Sequence, residues 1–256
     1  MGARAGSTGD VRATVAGVNG SVVRTMGGAA RTWRMCQWPN DATVAHLIFL
    51  DHLTVPTPEV IDAAVDHARR KGARVIRTSA LFPRAAEIVM SSGFRAIDRL
   101  ALLQLTIAGV VEDLPDPRRR TSPMQRWHHR RVARVDQDAF GPLWGNDATS
   151  VREIRRATPV HRARVVRNGR EVAGFAIAGL AGSNGYLQRL AVAGERRREG
   201  VARDLVTDAV RWMHGRRAST AYVNTGTANA AALELYDGLG FVRLDHELQI
   251  AELRLA

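Results

Sequence analysis

The sequence predicts an α/β protein of the α+β type, with two similar lobes that each hold a mixed, mostly antiparallel sheet flanked by helices. Three observations support this prediction. Runs with strand periodicity alternate with runs of helical periodicity along the 256 residues. A charged segment with two prolines, residues 112–120, separates two series of such runs. A Gly-Phe pair stands near the end of each series, at Gly93 and at Gly240.

Residues 31–111 form the first predicted lobe, after a glycine-rich stretch at 1–30 that has little periodicity and is expected to be a disordered tail. Thr57 followed by Pro58 is typical of a helix start, because Thr can cap the first turn and Pro fits its first position. The predicted elements of this lobe are strands at 31–38, 43–50, 73–78 and 97–107, and helices that begin at Thr57-Pro58 and span 83–91.

Residues 121–256 form the second predicted lobe, after a linker at 112–120 whose arginines are expected to be solvated. Asn168-Gly169 lies between two strand-like runs, and this dipeptide favours a two-residue type I′ turn. The predicted elements of this lobe are helices at 127–140, 150–157, 200–214 and 229–239, hairpin strands at 161–167 and 171–177, and strands at 186–192, 220–225 and 242–253.

The two lobes repeat each other at a constant offset, since Gly93 and Gly240 are 147 positions apart. At this offset the strand at 73–78 falls on the strand at 220–225, and the helix after Thr57 falls on the helix after Gly200. A repeat of this length indicates two copies of one fold rather than a solenoid, whose units are about 20 to 50 residues long.

The composition, 45% hydrophobic and 24% charged, is typical of a soluble globular protein. No apolar run approaches the roughly 20 residues that span a bilayer, and residues 1–20 lack the apolar core of a signal peptide. Cys36 is the only cysteine, which excludes an internal disulfide. A cytoplasmic protein without a membrane partner is therefore expected.

The formal net charge is +12, and arginine supplies every basic residue among the 37 except Lys71. A GC-rich coding sequence would give this bias, and so would a preference for acidic or phosphorylated partners. His128 and His129 stand among arginines, but adjacent histidines point to different faces of a helix and no cysteine or carboxylate cluster joins them. No metal is therefore predicted, and nucleic acid is not expected as a partner because no binding motif is recognisable.

The strongest candidate for a binding site is the segment 190–203, where a buried strand leads through a basic loop into an amphipathic helix. The amide groups at a helix start are unpaired and favour anions, and Gly200 would let a pyrophosphate approach them. Arg197 and Arg198 add positive charge. An ordinary strand–turn–helix with surface arginines fits the same pattern.

Two segments together resemble the signatures of the GNAT superfamily of N-acetyltransferases. Residues 197–202, Arg-Arg-Glu-Gly-Val-Ala, are similar to its Gln/Arg-x-x-Gly-x-Gly/Ala loop, and residues 229–241, which begin 29 positions after Gly200, resemble its second signature. The resemblance covers residues 118–256 directly and 31–110 through the repeat. It implies an enzyme that moves an acetyl group from acetyl-CoA to a primary amine on a small molecule or peptide, with the catalytic copy at 121–256.

The resemblance also implies roles for individual residues. Tyr236 would be the general acid toward the departing thiolate, a role that suits a phenol protonated at neutral pH, unless it only packs on a helix face. Asn229 would hydrogen-bond the pantetheine arm, whose acetyl end would meet the backbone of the strand at 190–192. The implied cofactor-binding residues are Leu190, Ala191, Val192, Arg197, Arg198, Glu199, Gly200, Val201, Ala202, Arg203 and Asn229.

The first lobe lacks these groups at the same offset. Val89 stands in place of Tyr236, Phe82 in place of Asn229, and Leu53 in place of Gly200. We therefore expect the lobe at 31–111 to be a degenerate copy that serves as a scaffold.

Several residues are candidates for the general base, and the sequence does not identify the acceptor. The branch of the family that acts on ribosomal-protein N-termini, which the second lobe is similar to, carries Glu where Asn224 stands here. A water held by Gln188 or Asn224 could replace it, as could a loop carboxylate such as Asp147 or Glu153. The family builds its acceptor pocket from the loop at 140–147, where aromatic side chains suit a pocket wall or the core. The candidate acceptor-site residues are Phe140, Trp144, Asp147, Gln188 and Asn224.

Two other functions compete with transfer to a small amine. One is N-terminal acetylation of a protein, of the ribosomal-protein type, which a basic surface near RNA would favour. The other is a non-catalytic acyl-CoA sensor, which the missing carboxylate favours and the presence of Tyr236 and Asn229 opposes.

Overall fold

The computed structural model describes residues 32–39, 41–50 and 55–255. The predicted tail at 1–30 and Leu53 lie outside these residues. The strands are β1 (Trp33–Trp38), β2 (Asp41–Phe49), β3 (Val75–Thr78), β4 (Arg95–Thr106), β5 (Ser122–Pro123), β6 (Val160–Asn168), β7 (Glu171–Ala181), β8 (Asn184–Val192), β9 (Thr220–Gly226) and β10 (Val242–Arg254). The helices are α1 (Pro58–Arg70), α2 (Pro83–Ser91), α3 (His129–Trp144), α4 (Ala148–Ile154), α5 (Val201–Gly215) and α6 (Ala230–Asp237), with short 3-10 helices at Arg126–His128 and Gly194–Arg196.

All ten strands belong to one mixed sheet, in the order β1-β2-β3-β10-β4-β9-β8-β7-β6-β5. The pairs β2–β3 and β8–β9 are parallel, and the other pairs are antiparallel. Helices flank this sheet, so the predicted α/β class with a mixed, mostly antiparallel sheet is confirmed. The prediction of a separate sheet in each lobe is wrong, because the strands of both halves form one continuous sheet.

The last strand of each predicted lobe lies among the strands of the other lobe. β10 lies between β3 and β4, with Leu253 opposite Ile76 and Gln249 opposite Arg99. β4 lies between β10 and β9, with Leu102 opposite Asn224. The two halves of the chain therefore share their sheet through this exchange of β4 and β10.

Hydrophobic clusters lie on both sides of the sheet. In the first half, α1 and α2 pack on β2, β3 and β10 through fully buried side chains such as Leu47, Ile61 and Val89. In the second half, α5 buries Leu205 and Met213 against β7 and β8. Val89, predicted to replace Tyr236 in the first lobe, is thus part of the hydrophobic core.

The structure corrects three local predictions. The two-residue hairpin loop is Gly169-Arg170, since Asn168 pairs with Glu171, and of the two loop residues only Gly169 has a positive φ, 59°. Positive φ at the first loop position alone suits a type II′ turn rather than the predicted type I′. Thr57 lies at the N-cap of α1, but its side chain makes no capping hydrogen bond. The segment 112–120 is not simply solvated, because the amides of Arg118 and Arg119 donate to the buried Asp204 carboxylate at 3.0 and 3.1 Å.

Candidate active site

A cavity of about 440 Å³ opens where β8 and β9 diverge. These two parallel strands pair only from Asn184 to Tyr186 and from Thr220 to Tyr222. Beyond the paired residues, both strands contribute to the cavity wall, at 187–190 on β8 and 223–226 on β9. Gln188 is an extra residue in the β7–β8 ladder, because Arg189 pairs with Ile177 and Leu187 with Ala178. Such a bulge bends a strand and redirects its side chains.

Tyr236 on α6 lines this cavity and is only 4% exposed. Burial raises the pKa of its phenol above the ordinary 10.0, because low-polarity surroundings disfavour the phenolate. Its ring contacts Phe241, with the ring centroids 5.5 Å apart. The phenol is therefore protonated at neutral pH and can donate a proton to a leaving group inside the cavity.

The start of α5, where the sequence predicted an anion site, combines a glycine N-cap with a second residue of positive φ. Gly200 lies at the N-cap with φ of 82°, a left-handed conformation that glycine adopts without strain. Arg198 also has a positive φ, 62°, and its side chain is exposed. The first amides of α5 face outward without helical partners, as at any helix N-terminus. The loop predicted from the sequence therefore exists, and it leads from β8 into α5.

Arg119 adds a cation to this loop that the sequence did not indicate. Its guanidinium donates to the Glu199 carbonyl oxygen and, at 3.1 Å, to the Glu199 carboxylate. It also lies 3.8 Å from the position that a Cβ at Gly200 would occupy. Predicting this contact would have required knowing that residues 118 and 119 attach to Asp204.

Asn229 lines the cavity as the N-cap of α6. Its Oδ1 accepts a hydrogen bond from the Ala232 amide at 3.2 Å, and its Nδ2 donates to Thr225 Oγ1 at 3.2 Å. The side chain therefore fixes the start of the helix that carries Tyr236. Of the other predicted cofactor-binding residues, Leu190 lines the cavity, while Ala191, Val192 and the segment 197–203 lie outside it.

The predicted acceptor loop covers one side of the cavity with Phe140 and Trp144. α3 is interrupted at Gly141, which has φ of 71° and ψ of −176°. The guanidinium of Arg189 holds this segment in place, because it lies 3.4 Å from the centroid of the Phe140 ring and donates to the Trp144 carbonyl at 2.7 Å. The same guanidinium forms an ion pair with the fully buried Asp136.

The two carboxylates proposed as general bases, Asp147 and Glu153, lie outside the lining of the cavity. Asp147 caps α4, where Oδ1 accepts a hydrogen bond from the Ser150 amide at 2.6 Å. Glu153 lies on α4, and burial followed by the nearby Asp147 charge raises the pKa of its carboxyl. Neither residue lines the cavity, whereas Gln188 and Asn224 both do. Gln188 Nε2 donates to Thr158 Oγ1 at 3.2 Å.

The first half of the chain forms the opposite end of the same cavity, although the sequence predicted only a scaffold. Trp38, His46, Ser79 and Asp98 belong to its lining. Asp98 is the single carboxylate among the lining residues of the described chain. No motif marks these side chains, and the exchange of β4 and β10 joins their part of the sheet to the part that contains β9.

His46 is a buried, neutral histidine in this wall, 6% exposed. Burial, with the Arg34 and Arg77 charges in support, lowers the pKa of its imidazole to about 3. Neither ring nitrogen has a hydrogen-bond partner within the described ranges. Its ring contacts Trp38, and Trp38 contacts Trp144 with centroids 5.5 Å apart, so the aromatic wall continues from the first half to the acceptor loop.

The described residues contain neither a metal-binding cluster nor a membrane-spanning helix. No group of three or more His, Cys, Asp or Glu side chains is arranged to hold a metal ion there. None of the helices in that part of the chain is long and apolar enough to cross a membrane.

Comparison with known proteins shows similarity between part of this chain and acetyltransferases. Residues 126–241 match the family model described as the Acetyltransferase (GNAT) family. A stretch of 60 residues is 38% identical to N-alpha-acetyltransferase 30 of Saccharomyces cerevisiae and covers 23% of this chain. That match spans about a third of the relative's length, 34%.

Solved structures share the fold over most of the chain. A tandem GNAT protein from the clavulanic acid biosynthesis pathway superimposes with a TM-score of 0.64 and 13% identity, covering 87% of this chain and 78% of that chain. A GCN5-related N-acetyltransferase from Kribbella flavida gives a TM-score of 0.59 and 13% identity, covering 87% of this chain and 90% of that chain.

Proposed function

We propose that the chain transfers an acetyl group from acetyl-CoA to a primary amine, a proposal supported by the match of residues 126–241 to the GNAT acetyltransferase family model. One observation carries the proposal: the buried phenol of Tyr236 lines the cavity between the diverging strands, and the chain runs from β8 at that cavity to the glycine N-cap of α5 at Gly200. Acetyl-CoA has the matching parts, a thioester at one end of a long arm and a pyrophosphate at the other.

In this proposal the thioester lies between β8 and β9, and the pantetheine arm follows β8 from Leu190 toward Val192. The amides at the start of α5 bind the pyrophosphate, supported by the charges of Arg197 and Arg198. The neutral amine attacks the acetyl carbonyl carbon, the carbon–sulfur bond breaks, and the thiolate receives the proton of Tyr236. The amine nitrogen releases its extra proton to water, and water restores the phenol.

The first half of the chain is proposed to be a degenerate copy of the same fold. Phe82 and Val89 stand where a second cofactor site would need polar groups. Residues 31–111, the linker 112–120 and the catalytic part 121–256 remain our proposed division of the chain. A cytoplasmic location is part of the same proposal.

An α-amine is the acceptor that we favour. At pH 7 an α-amine with a pKa near 7.8 is about 14% neutral, and a lysine amine near 10.4 is only about 0.04% neutral. Asn224 offers no carboxylate to remove the proton from a lysine. The local similarity to N-alpha-acetyltransferase 30 favours N-terminal acetylation of a peptide or protein as the second candidate, including the ribosomal-protein type.

Gly200→Glu is expected to abolish acetyl-CoA binding. The new side chain would be strained at a φ of 82° and would place a negative charge at the pyrophosphate site. Isothermal calorimetry should show one site per wild-type chain and no detectable heat of binding for the variant. Gly215→Glu, at the exposed far end of the same helix with nothing near its added Cβ, is the matched control and should bind normally. Two sites per chain, or full binding by Gly200→Glu, would contradict the proposal.

The acceptor can be identified by intact-mass measurement. Panels of small amines, peptides with free α-amines and lysine peptides with blocked N-termini are incubated with the protein and acetyl-CoA, and a gain of one acetyl group is scored. Binding of acetyl-CoA without acetylation of any class would favour a non-catalytic acyl-CoA sensor. Efficient lysine acetylation near pH 7 would contradict the α-amine preference.

A further inference from the structure

We propose that the first half of the chain supplies the acceptor-binding end of the cavity, where the Asp98 carboxylate binds the ammonium group of the incoming amine. This inference rests on the proposed function and adds to it a recognition residue and the charge state in which the acceptor arrives. It also gives the first half of the chain a part in catalysis that a scaffold would not have. The bound ammonium releases one proton to water, and the neutral amine so formed then attacks the acetyl carbonyl carbon.

The placement of Asp98 follows from strand register. Asp98, Leu100 and Leu102 alternate along β4, so their side chains share one face of the sheet, and all three line the cavity. Leu102 lies opposite Asn224 and Leu100 lies opposite Gly226, both on the diverging part of β9. Asp98 is therefore on the side of β9 away from β8, which is the side left for the acceptor when the cofactor arm follows β8.

The Asp98 carboxylate can accept further hydrogen bonds from a ligand. One oxygen accepts a hydrogen bond from the Arg99 amide at 2.8 Å. Within the described ranges Asp98 forms no ion pair, although the chain carries a large excess of arginine. A carboxylate in a partly enclosed cavity without a cationic partner attracts a cationic ligand, and an ammonium group can donate up to three hydrogen bonds.

The rest of the cavity wall suits an apolar acceptor body. Trp38 and Trp144 form a continuous aromatic wall beside the buried His46. Because His46 is neutral and both its nitrogens lack partners among the described residues, it can hydrogen-bond a polar group of the acceptor and places no positive charge beside the ammonium. The structure thus fits an ammonium group followed by an apolar segment.

Paired probes test this inference without a known acceptor. n-Hexylamine and 1-hexanol have the same chain and differ in the ammonium group, and their dissociation constants are measured by calorimetry or ligand-observed NMR in the presence of CoA. The wild-type protein should bind hexylamine roughly 10- to 100-fold more tightly than hexanol, the usual range for a hydrogen bond to a charged group. Asp98→Asn should lose this preference, and Asp98→Glu should keep part of it. Asp62→Asn, an exposed carboxylate on α1, is the matched control and should keep all of it.

The outcomes separate this inference from the proposed function. Equal binding of the two probes by the wild type, or an unchanged preference in Asp98→Asn, would overturn it even if acetylation is observed. A preference that depends on Asp98, in a protein that never transfers acetyl groups, would support the binding site and contradict the proposed activity. Once an acceptor is found, Asp98→Asn should raise its KM while the Kd of acetyl-CoA stays unchanged.

Discussion

Tyr236→Phe should lower kcat by roughly 10²- to 10⁴-fold while the dissociation constant of acetyl-CoA stays nearly unchanged. The substitution removes only the hydroxyl, so the ring keeps its packing against Phe241. Without the phenolic proton, the thiolate must leave unprotonated or take a proton from water. Single-turnover kinetics at saturating acetyl-CoA would measure the chemical step directly, and calorimetry would measure cofactor affinity.

The comparison variant for this test is Tyr222→Phe, which removes the hydroxyl of another tyrosine that lines the cavity. It should change kcat much less, because its hydroxyl is not assigned a proton transfer. Burial holds the pKa of Tyr236 above 10.0, so the acid form persists through the neutral range and is lost only as the pH rises past that raised pKa. The wild-type kcat should therefore show no alkaline decline up to about pH 9. A loss of less than about threefold in Tyr236→Phe, with chemistry limiting, would exclude it as the acid.

Asp136→Asn should lower the free energy of unfolding by about 3 to 5 kcal/mol. Asp136 is fully buried, and its carboxylate binds both the Arg189 guanidinium and the Asn146 backbone amide. Its Oδ2 accepts from Arg189 Nε at 2.6 Å, and its Oδ1 accepts from Arg189 Nη2 at 2.7 Å and from the Asn146 amide at 2.6 Å. Removing the carboxylate charge leaves the largely buried Arg189 guanidinium without its counterion, which costs more than the pair contributes.

Urea denaturation would measure this change, with Asp138→Asn as the control. Asp138 lies two residues further along α3 but is exposed, so its substitution should change the stability by less than about 0.5 kcal/mol. The double variant Asp136→Leu with Arg189→Met should recover much of the lost stability, since replacing both members of a buried pair by apolar groups is often neutral. Equal effects of Asp136→Asn and Asp138→Asn would show that the ion pair does not stabilise the loop.

The sequence predicted those elements of the candidate site that are formed by residues close together in the chain. The run from Leu190 through Gly200 into α5 depends on neighbouring residues only, and the hydrophobic spacing of the helix and the glycine at its start are visible in the sequence. The position of Tyr236 on a short helix after β9 is local in the same sense. These elements therefore agree with the prediction to within a few residues.

The part that could not be predicted depends on contacts between distant segments. Asp98 reaches the cavity because β4 pairs with β9, more than a hundred positions away. His46 and Trp38 join the same wall through strands of the first half, where the repeat indicated lost function. Arg119 reaches the start of α5 because Asp204 binds the backbone of a segment that has no hydrophobic pattern. Pairing partners of strands are not encoded in periodicity, so no reading of single segments could place these side chains together.

The exchange of β4 and β10 determines when the sheet of the first half can be completed during synthesis of the chain. When the first half leaves the ribosome, its sheet has an empty place between β3 and β4, which is filled only when residues 242–254 have emerged. Open strand edges of this kind are prone to pairing with other chains, and long sequence separation between partners slows folding. The sheet of the first half can therefore close only after the end of the second half has been synthesised, so the two halves must complete their folding together.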